Sequence, residues 1–367
     1  MKKLPRLLLS ALILFAPLSG FCAREVNILI AENKPSVNVE VSGPFKITNK
    51  ATGKKYIVKK GGKFAVSGNK KEVKAGSVKS TSALLLELSS PKDAFTLNGG
   101  KYNGKLLIKT ASSGVNIIER TDLENYLLGV LPYEMSASWP LEALKAQAVA
   151  ARTYTLKSIE DKKTGDFDLY SDVRSQMYKG GAKVYDNVQK AVNQTKGQVL
   201  KNQGNLFYTY YHANCGGHTD PMPWIKSPIK PLSGAKCGYC SASKSAHWQA
   251  TIPLENINKF LKQNKIPGTF KSVSVGKKES SGRAKTLRIK TSKSKTEVNC
   301  NSFRVAVGST KMKSCFLTKI RGRTFTGKGY GHGGGMCQDG AKGMAEAGKN
   351  YKEILGRYYP SSKIEEI

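Results

Sequence analysis

Residues 123–156 read LENYLLGVLPYEMSASWPLEALKAQAVAARTYTL, two helix-like segments joined at a proline-marked break that carries one acid, Glu134. Thr121 and Glu124 stand at capping-box spacing, and Leu123, Tyr126, Leu127 and Val130 follow at helical intervals, so a first helix is expected to open near 122 and to end at Pro132. A second begins at Pro140, which a first helical turn tolerates, and runs through Leu144, Ala148, Ala151 and Thr155 with an alanine-dense interior suited to close packing. Tyr133, Met135 and Trp139 surround Glu134 with apolar bulk. A carboxyl group so placed is expected to keep its proton toward neutral pH and serve as a general acid; the plainer reading of a glutamate beside a helix start is a capping charge.

Upstream, residues 26–109 carry the runs VNILIA, VNVEVSG, FKITN, KKYIVKK, ALLLELS and KLLIKT between turn residues, which read as short strands. They hold no cluster of catalytic residue types, so their expected role is packing and positioning. Downstream, 184–194 reads as a short helix and 198–211 as strand-like. Short elements follow at 286–289, 303–307 and 316–320, then a glycine loop at 327–335 and helices near 338–347 and 352–359. Strands first and mixed elements later argue an α+β fold: a β-rich region over 24–110, then a core over 111–367 whose helices flank Glu134.

Residues 1–23 place Lys2, Lys3 and Arg6 before an apolar run at 7–15 and then small residues, a secretory signal pattern too short to span a bilayer. Cleavage near Cys22 or Ala23 predicts export to the periplasm or cell envelope. Cys22 also allows a lipid anchor, although Phe21 before it suits that poorly. Lys and Arg total 60 against 26 acids, a net +34. Besides a solvated lysine-rich surface, such a charge suits a polyanionic partner; no nucleic-acid motif appears, and anionic envelope polymers or lipids fit an exported chain better.

The second concentration of chemistry lies at 212–240. His212 and Cys215 are three apart and Cys237 and Cys240 form a CxxC knuckle, four donors on two short turns, as a closed structural zinc site requires. His218 is a spare ligand, and a disulfide among Cys215, Cys237 and Cys240 is the alternative in an oxidising compartment. The odd number of cysteines there favours the metal. Cys300 and Cys315 are spaced to close a disulfide loop. His332, in the glycine loop, and Gln338, opening the next helix, are candidates for a cleft lining that binds sugar hydroxyls or an anion.

The segment around Glu134, with YHANCGGHT at 211–219 and GHGGGMCQDGAKGMAEAGKNYKEIL at 331–355, resembles the stage II sporulation protein D family, also called the LytB or amidase-enhancer family. The resemblance implies lytic cleavage of peptidoglycan glycan strands, above all peptide-free ones, between muramic acid and glucosamine, leaving 1,6-anhydro ends during division or sporulation. It puts the catalytic glutamate at Glu134, in the Pro-x-Glu-Met context of residues 132–135. Its Ala-Ala-Arg-Thr-Tyr run makes Arg152 a candidate for a substrate carboxylate, with Gln147 beside it, where an ion pair is the plainer reading. Cys337 and Asp339 depart from the family's usual serine and aromatic residue. Two rivals stand beside this reading: a glycan-binding scaffold that activates a peptidoglycan amidase, and a zinc hydrolase with an open coordination position.

Overall fold

The computed structural model describes residues 24–162, 164–222 and 229–367; the proposed signal segment and Cys22 lie outside them. The fold is α+β. A seven-stranded sheet runs in the order Leu169–Tyr170, Glu25–Lys34, Val115–Asp122, Lys105–Thr110, Ala83–Leu88, Phe45–Asn49, Lys55–Val58. A six-stranded sheet built around Ser36–Val41 and Gly62–Gly68 shares its core. Ser36–Val41, SVNVEV, alternates exposed and buried positions without a break, so Val37, Val39 and Val41 line one face and pack with Phe95, Leu106 and Ile117. Lys105–Thr110 pairs residue by residue with Val115–Asp122, so the large sheet crosses position 110 and joins the β-rich region to the start of the core.

Among the described residues there are seven helices: α1 (Leu123–Glu134), α2 (Leu141–Asp161), α3 (Asp186–Gln194), α4 (Leu254–Gln263), α5 (Cys300–Gly308), α6 (Gln338–Glu346) and α7 (Tyr351–Tyr358). The N-cap of α1 is Asp122, whose carboxylate accepts the Asn125 N–H; Thr121, expected as the cap, holds the Asn125 side chain instead. Pro132 does not end α1. It sits in the last turn, where its missing N–H costs one bond, and the helix closes on the Met135 N–H to Leu131 carbonyl bond, leaving Glu134 as the final helical residue. α2 is fully buried through Ala143, Ala146, Ala148, Val149, Ala150 and Ala151, and its small side chains let α1, α3, α6 and α7 pack around it.

Residues 248–325 bury a second core of their own, with Ile257, Phe260, Leu287, Phe303 and Phe325 between α4, α5 and two three-stranded sheets. The Cys300–Cys315 disulfide lies in it. This unit returns to the first core at Asn214 and Tyr330, which exchange backbone hydrogen bonds.

Candidate functional site

Because α1 ends on Glu134, its carboxyl points off the helix terminus into the space between α2, the segment 175–178 and the start of α6. Oε1 accepts the Met177 N–H at 2.8 Å, and the Gln338 side-chain amide is its second donor. Gln338 also donates to Gln147 Oε1 at 3.4 Å. Burial pushes the half-buried Glu134 carboxyl up to about 7, against the Met177 and Gln338 hydrogen bonds that favour the carboxylate. The surrounding wall is tyrosine: burial chiefly, with the Glu134 charge adding, raises the phenols of Tyr126, Tyr154 and Tyr211. Gln176 ties that wall together, donating to Tyr126 (3.1 Å) and Thr155 (2.9 Å) and accepting from Tyr211 (2.8 Å). No other carboxylate among the described residues contributes to the shift at Glu134.

Of the residues singled out in the sequence, Glu134, Gln147 and Gln338 thus meet at one point. His332 is edge-on to Tyr210 and hydrogen-bonded to the Tyr211 backbone; burial, with Arg304 nearby, lowers it to about 4, so it is neutral. Arg152, expected at a substrate carboxylate, is elsewhere. It is fully buried, its Nε and Nη2 donate to the two Glu124 oxygens at 2.8 and 2.7 Å, and Nη1 donates to the Gln198 carbonyl. With its fork so engaged, it locks α2 to α1 rather than reaching a ligand. A cleft of about 650 Å³ meets the tyrosine wall at Tyr154; Tyr208, Tyr210, Phe167, Tyr170 and the charged Asp161 and Arg174 also line it, and Glu134 is not in its lining.

Nothing in the sequence pointed to Gln176, Met177 and Tyr178, because the loop 171–182 has no periodicity. Their positions come from a close approach: a side chain at Gly129 would strike the Tyr178 ring and Gly180. Tyr178 donates at 2.6 Å to Glu119, a carboxyl with no exposure that also accepts the Gly104 N–H at 3.0 Å and is pushed to about 7 by burial.

The cysteine cluster also differs from the ligand set expected. Cys215, Cys237 and Cys240 converge with Cys337, all four sulfurs lying within 4.8 Å of one another and buried. None of these is disulfide-bonded, and Cys215 and Cys240 Sγ are 3.5 Å apart, against the ~2.05 Å of a bond. His212, expected as a ligand, is outside: its Nδ1 lies 3.0 Å from the Gly334 carbonyl and its ring packs on His332. His218 is engaged with the Thr219 carbonyl. Cys337 reaches the cluster because Met336–Cys337 pairs in parallel with Tyr211–His212, bringing the two motifs side by side. The four sulfurs fit a tetrahedral thiolate site, since Zn–S bonds of ~2.3 Å put sulfurs about 3.8 Å apart. The Cys215 and Gly340 N–H groups donate to Cys337 Sγ, and the Tyr358 hydroxyl lies 3.0 Å from Cys237 Sγ, contacts that favour thiolates. Cys337 caps α6, so the cluster sits one residue from Gln338.

The stage II sporulation protein family matches residues 111–201, the stretch that contains Glu134. A protein of Brachyspira hyodysenteriae, itself uncharacterised, is 36% identical over 73% of both chains. The chain belongs to the stage II sporulation protein D family. Within this family it is 33% identical to the amidase enhancer of Bacillus subtilis over 65% of its own length but only 40% of that protein's. It is 27% identical to the stage II sporulation protein D of Bacillus subtilis over 68% of its own length and 76% of that protein's. A Domain of unknown function (DUF8618) matches residues 236–335, the stretch that holds the second hydrophobic core.

Proposed function

We propose that this protein is an exported lytic transglycosylase that cuts the bond between N-acetylmuramic acid and N-acetylglucosamine in peptide-free glycan strands. Membership of the stage II sporulation protein D family supports a cell-wall-related role. The observation that carries the chemistry is Glu134: one carboxyl group, pushed up to about 7 by burial, with two hydrogen-bond donors and with no charge of another described carboxylate acting on its proton. Hydrolysis of either stereochemical outcome uses a carboxylate pair; a single carboxyl suits an internal displacement. Protonated Glu134 gives its proton to the glycosidic oxygen as the C1–O bond breaks. The carboxylate then accepts the proton of the muramic acid 6-hydroxyl as O6 bonds to C1, and the ring closes as a 1,6-anhydro end with no water consumed. Met177 and Gln338 hold the carboxylate between the two transfers. The tyrosine-lined cleft is where sugar rings would stack.

Cys215, Cys237, Cys240 and Cys337 would hold a zinc ion in a closed structural site, fixing the two motif-bearing turns beside α6. Export places the chain in the cell envelope, where anionic polymers or lipids would meet its positive charge. A second reading rests on the relative named amidase enhancer: a glycan-binding protein that stimulates an amidase without chemistry of its own. Digestion of purified glycan strands by wild type and Glu134→Gln, with the ends read by mass spectrometry, separates the two. The expected result is anhydro-muramic ends from the wild type and a loss of at least ~10³-fold in the variant, with strand binding kept. Equal absence of new ends from both would turn the assignment to the amidase reading.

A further inference from the structure

The chain's charge is unevenly spread. Residues 236–335 hold 21 lysines and arginines against three glutamates and no aspartate, so 100 of the 367 residues carry +18 of the total +34. Most of these cations are exposed. Glu279 and Glu297 offset only Lys285 and Arg288, at 3.3 and 3.6 Å. The same stretch folds around its own core, and the glycine loop at its end packs on Tyr210 through His332.

Within it, the strands Phe270–Val275, Thr286–Thr291 and Lys295–Asn299 form one antiparallel sheet. Val273, Leu287 and Ile289 face inward onto α4 and α5, so the other face is exposed. That face holds a groove of about 390 Å³ lined by Ser272, Ser274, Arg288, Lys290, Lys295 and Glu297. The register sets Lys290 directly opposite Lys295, and the serines opposite Lys290 and Arg288. Like charges directly opposite destabilise a sheet. Protection of a sheet edge by lysine accounts for Lys295, but Arg288 and Lys290 lie on the central strand, where no edge needs protecting.

We propose that this groove is a docking site for a linear, phosphate-bearing polyanion of the cell envelope. Arg288 and Lys290 are two positions apart on one strand, roughly 7 Å, and Lys290 and Lys295 are about 5 Å apart across the ladder. This is a dense cation array that matches a charge on every repeat of a phosphodiester chain. A peptide-free glycan strand bears one carboxylate per disaccharide and is too sparse to use it. Arg288 lies opposite Ser274 on one side and opposite Glu297, 3.6 Å away in an exposed ion pair, on the other; a phosphate that displaces this pair meets the guanidinium beside serine hydroxyls, and a concave groove admits a chain where a bilayer surface would bridge over it. The site depends on export for its partner but not on any chemistry at Glu134.

The test uses the full chain, fluorescent inorganic polyphosphate as probe, and two variants of equal charge change. One is Arg288→Glu/Lys290→Glu/Lys295→Glu in the groove, the other Lys54→Glu/Lys55→Glu/Lys59→Glu on the exposed surface of the β-rich region. Thermal melts establish that both fold. The groove variant should bind at least 10-fold more weakly and show a salt dependence shallower by about 2, at ~0.7 for each phosphate no longer neutralised, while the surface variant stays within about threefold of wild type. Equal weakening in both would overturn the site, leaving only net charge, and so would binding of anionic phospholipid vesicles or glycan strands through the groove in preference to polyphosphate.

Discussion

Glu119 and Glu134 face the same physical problem, a carboxyl group packed among tyrosines and largely desolvated, and both are pushed to about 7. Glu134 keeps partial exposure at the end of α1, whereas Glu119 has none and is sealed behind Tyr178. A carboxyl whose pKa is higher folded than unfolded stabilises the fold fully below its unfolded value near 4.5, and that stability is lost as the pH rises through about 7. For Glu119 the difference amounts to about 3 kcal/mol. Urea denaturation between pH 4.5 and 8 should therefore show stability falling with pH in the wild type and a flatter profile in Glu119→Gln; parallel profiles would refute the assignment of that slope to Glu119. Arg152 shows the reverse case. In the sequence an ion pair is the plainer reading of Arg152 and the family resemblance alone makes it a ligand candidate; the ion pair is what forms, with Glu124, 28 positions earlier, accepting from its Nε and Nη2 once α1 and α2 pack.

Between elements, the decisive interaction is the two-residue parallel pairing of Tyr211–His212 with Met336–Cys337. It delivers Cys337 to three cysteines more than 90 residues upstream, and it carries Gln338 on the first turn of α6 toward Glu134. Metal analysis of purified protein should accordingly give one zinc per chain in the wild type and in His212→Ala, and a loss of at least half in Cys337→Ala. Loss in His212→Ala alone would restore the histidine ligand set. Removing the metal is expected to lower the melting temperature together with any activity, because the same pairing holds both motifs.

For the molecule as a whole, the two large hydrophobic cores among the described residues imply two melting units; the small cluster of Leu29, Ala83, Leu107 and Ile118 sits on the large sheet and belongs with the first. The Cys300–Cys315 bridge spans 15 positions wholly inside the second and is worth roughly 3 kcal/mol in the chain-entropy model. Replacing both cysteines by serine should bring the melting of residues 248–325 down by several degrees and leave the transition of the first core in place; a single transition that shifts as a unit would mean that the cores unfold together.

The α+β class, the β-rich start and the two helices around Glu134 are all legible in the linear chain, because apolar periodicity and proline placement are local signals that survive without a partner. The two cysteines of the disulfide are legible as well, since the rest of the cysteines fall in other motifs. Folding in three dimensions was needed to carry the large sheet through position 110, to make Arg152 an internal brace, to put Cys337 in place of His212 beside the other three cysteines, and to bring Met177 and Gln338 to Glu134 as its donors. Each of these is a pairing between segments tens to hundreds of residues apart, formed by burial and register rather than by neighbouring residues. A loop such as 171–182, with no period of its own, takes its position entirely from the surfaces it packs against.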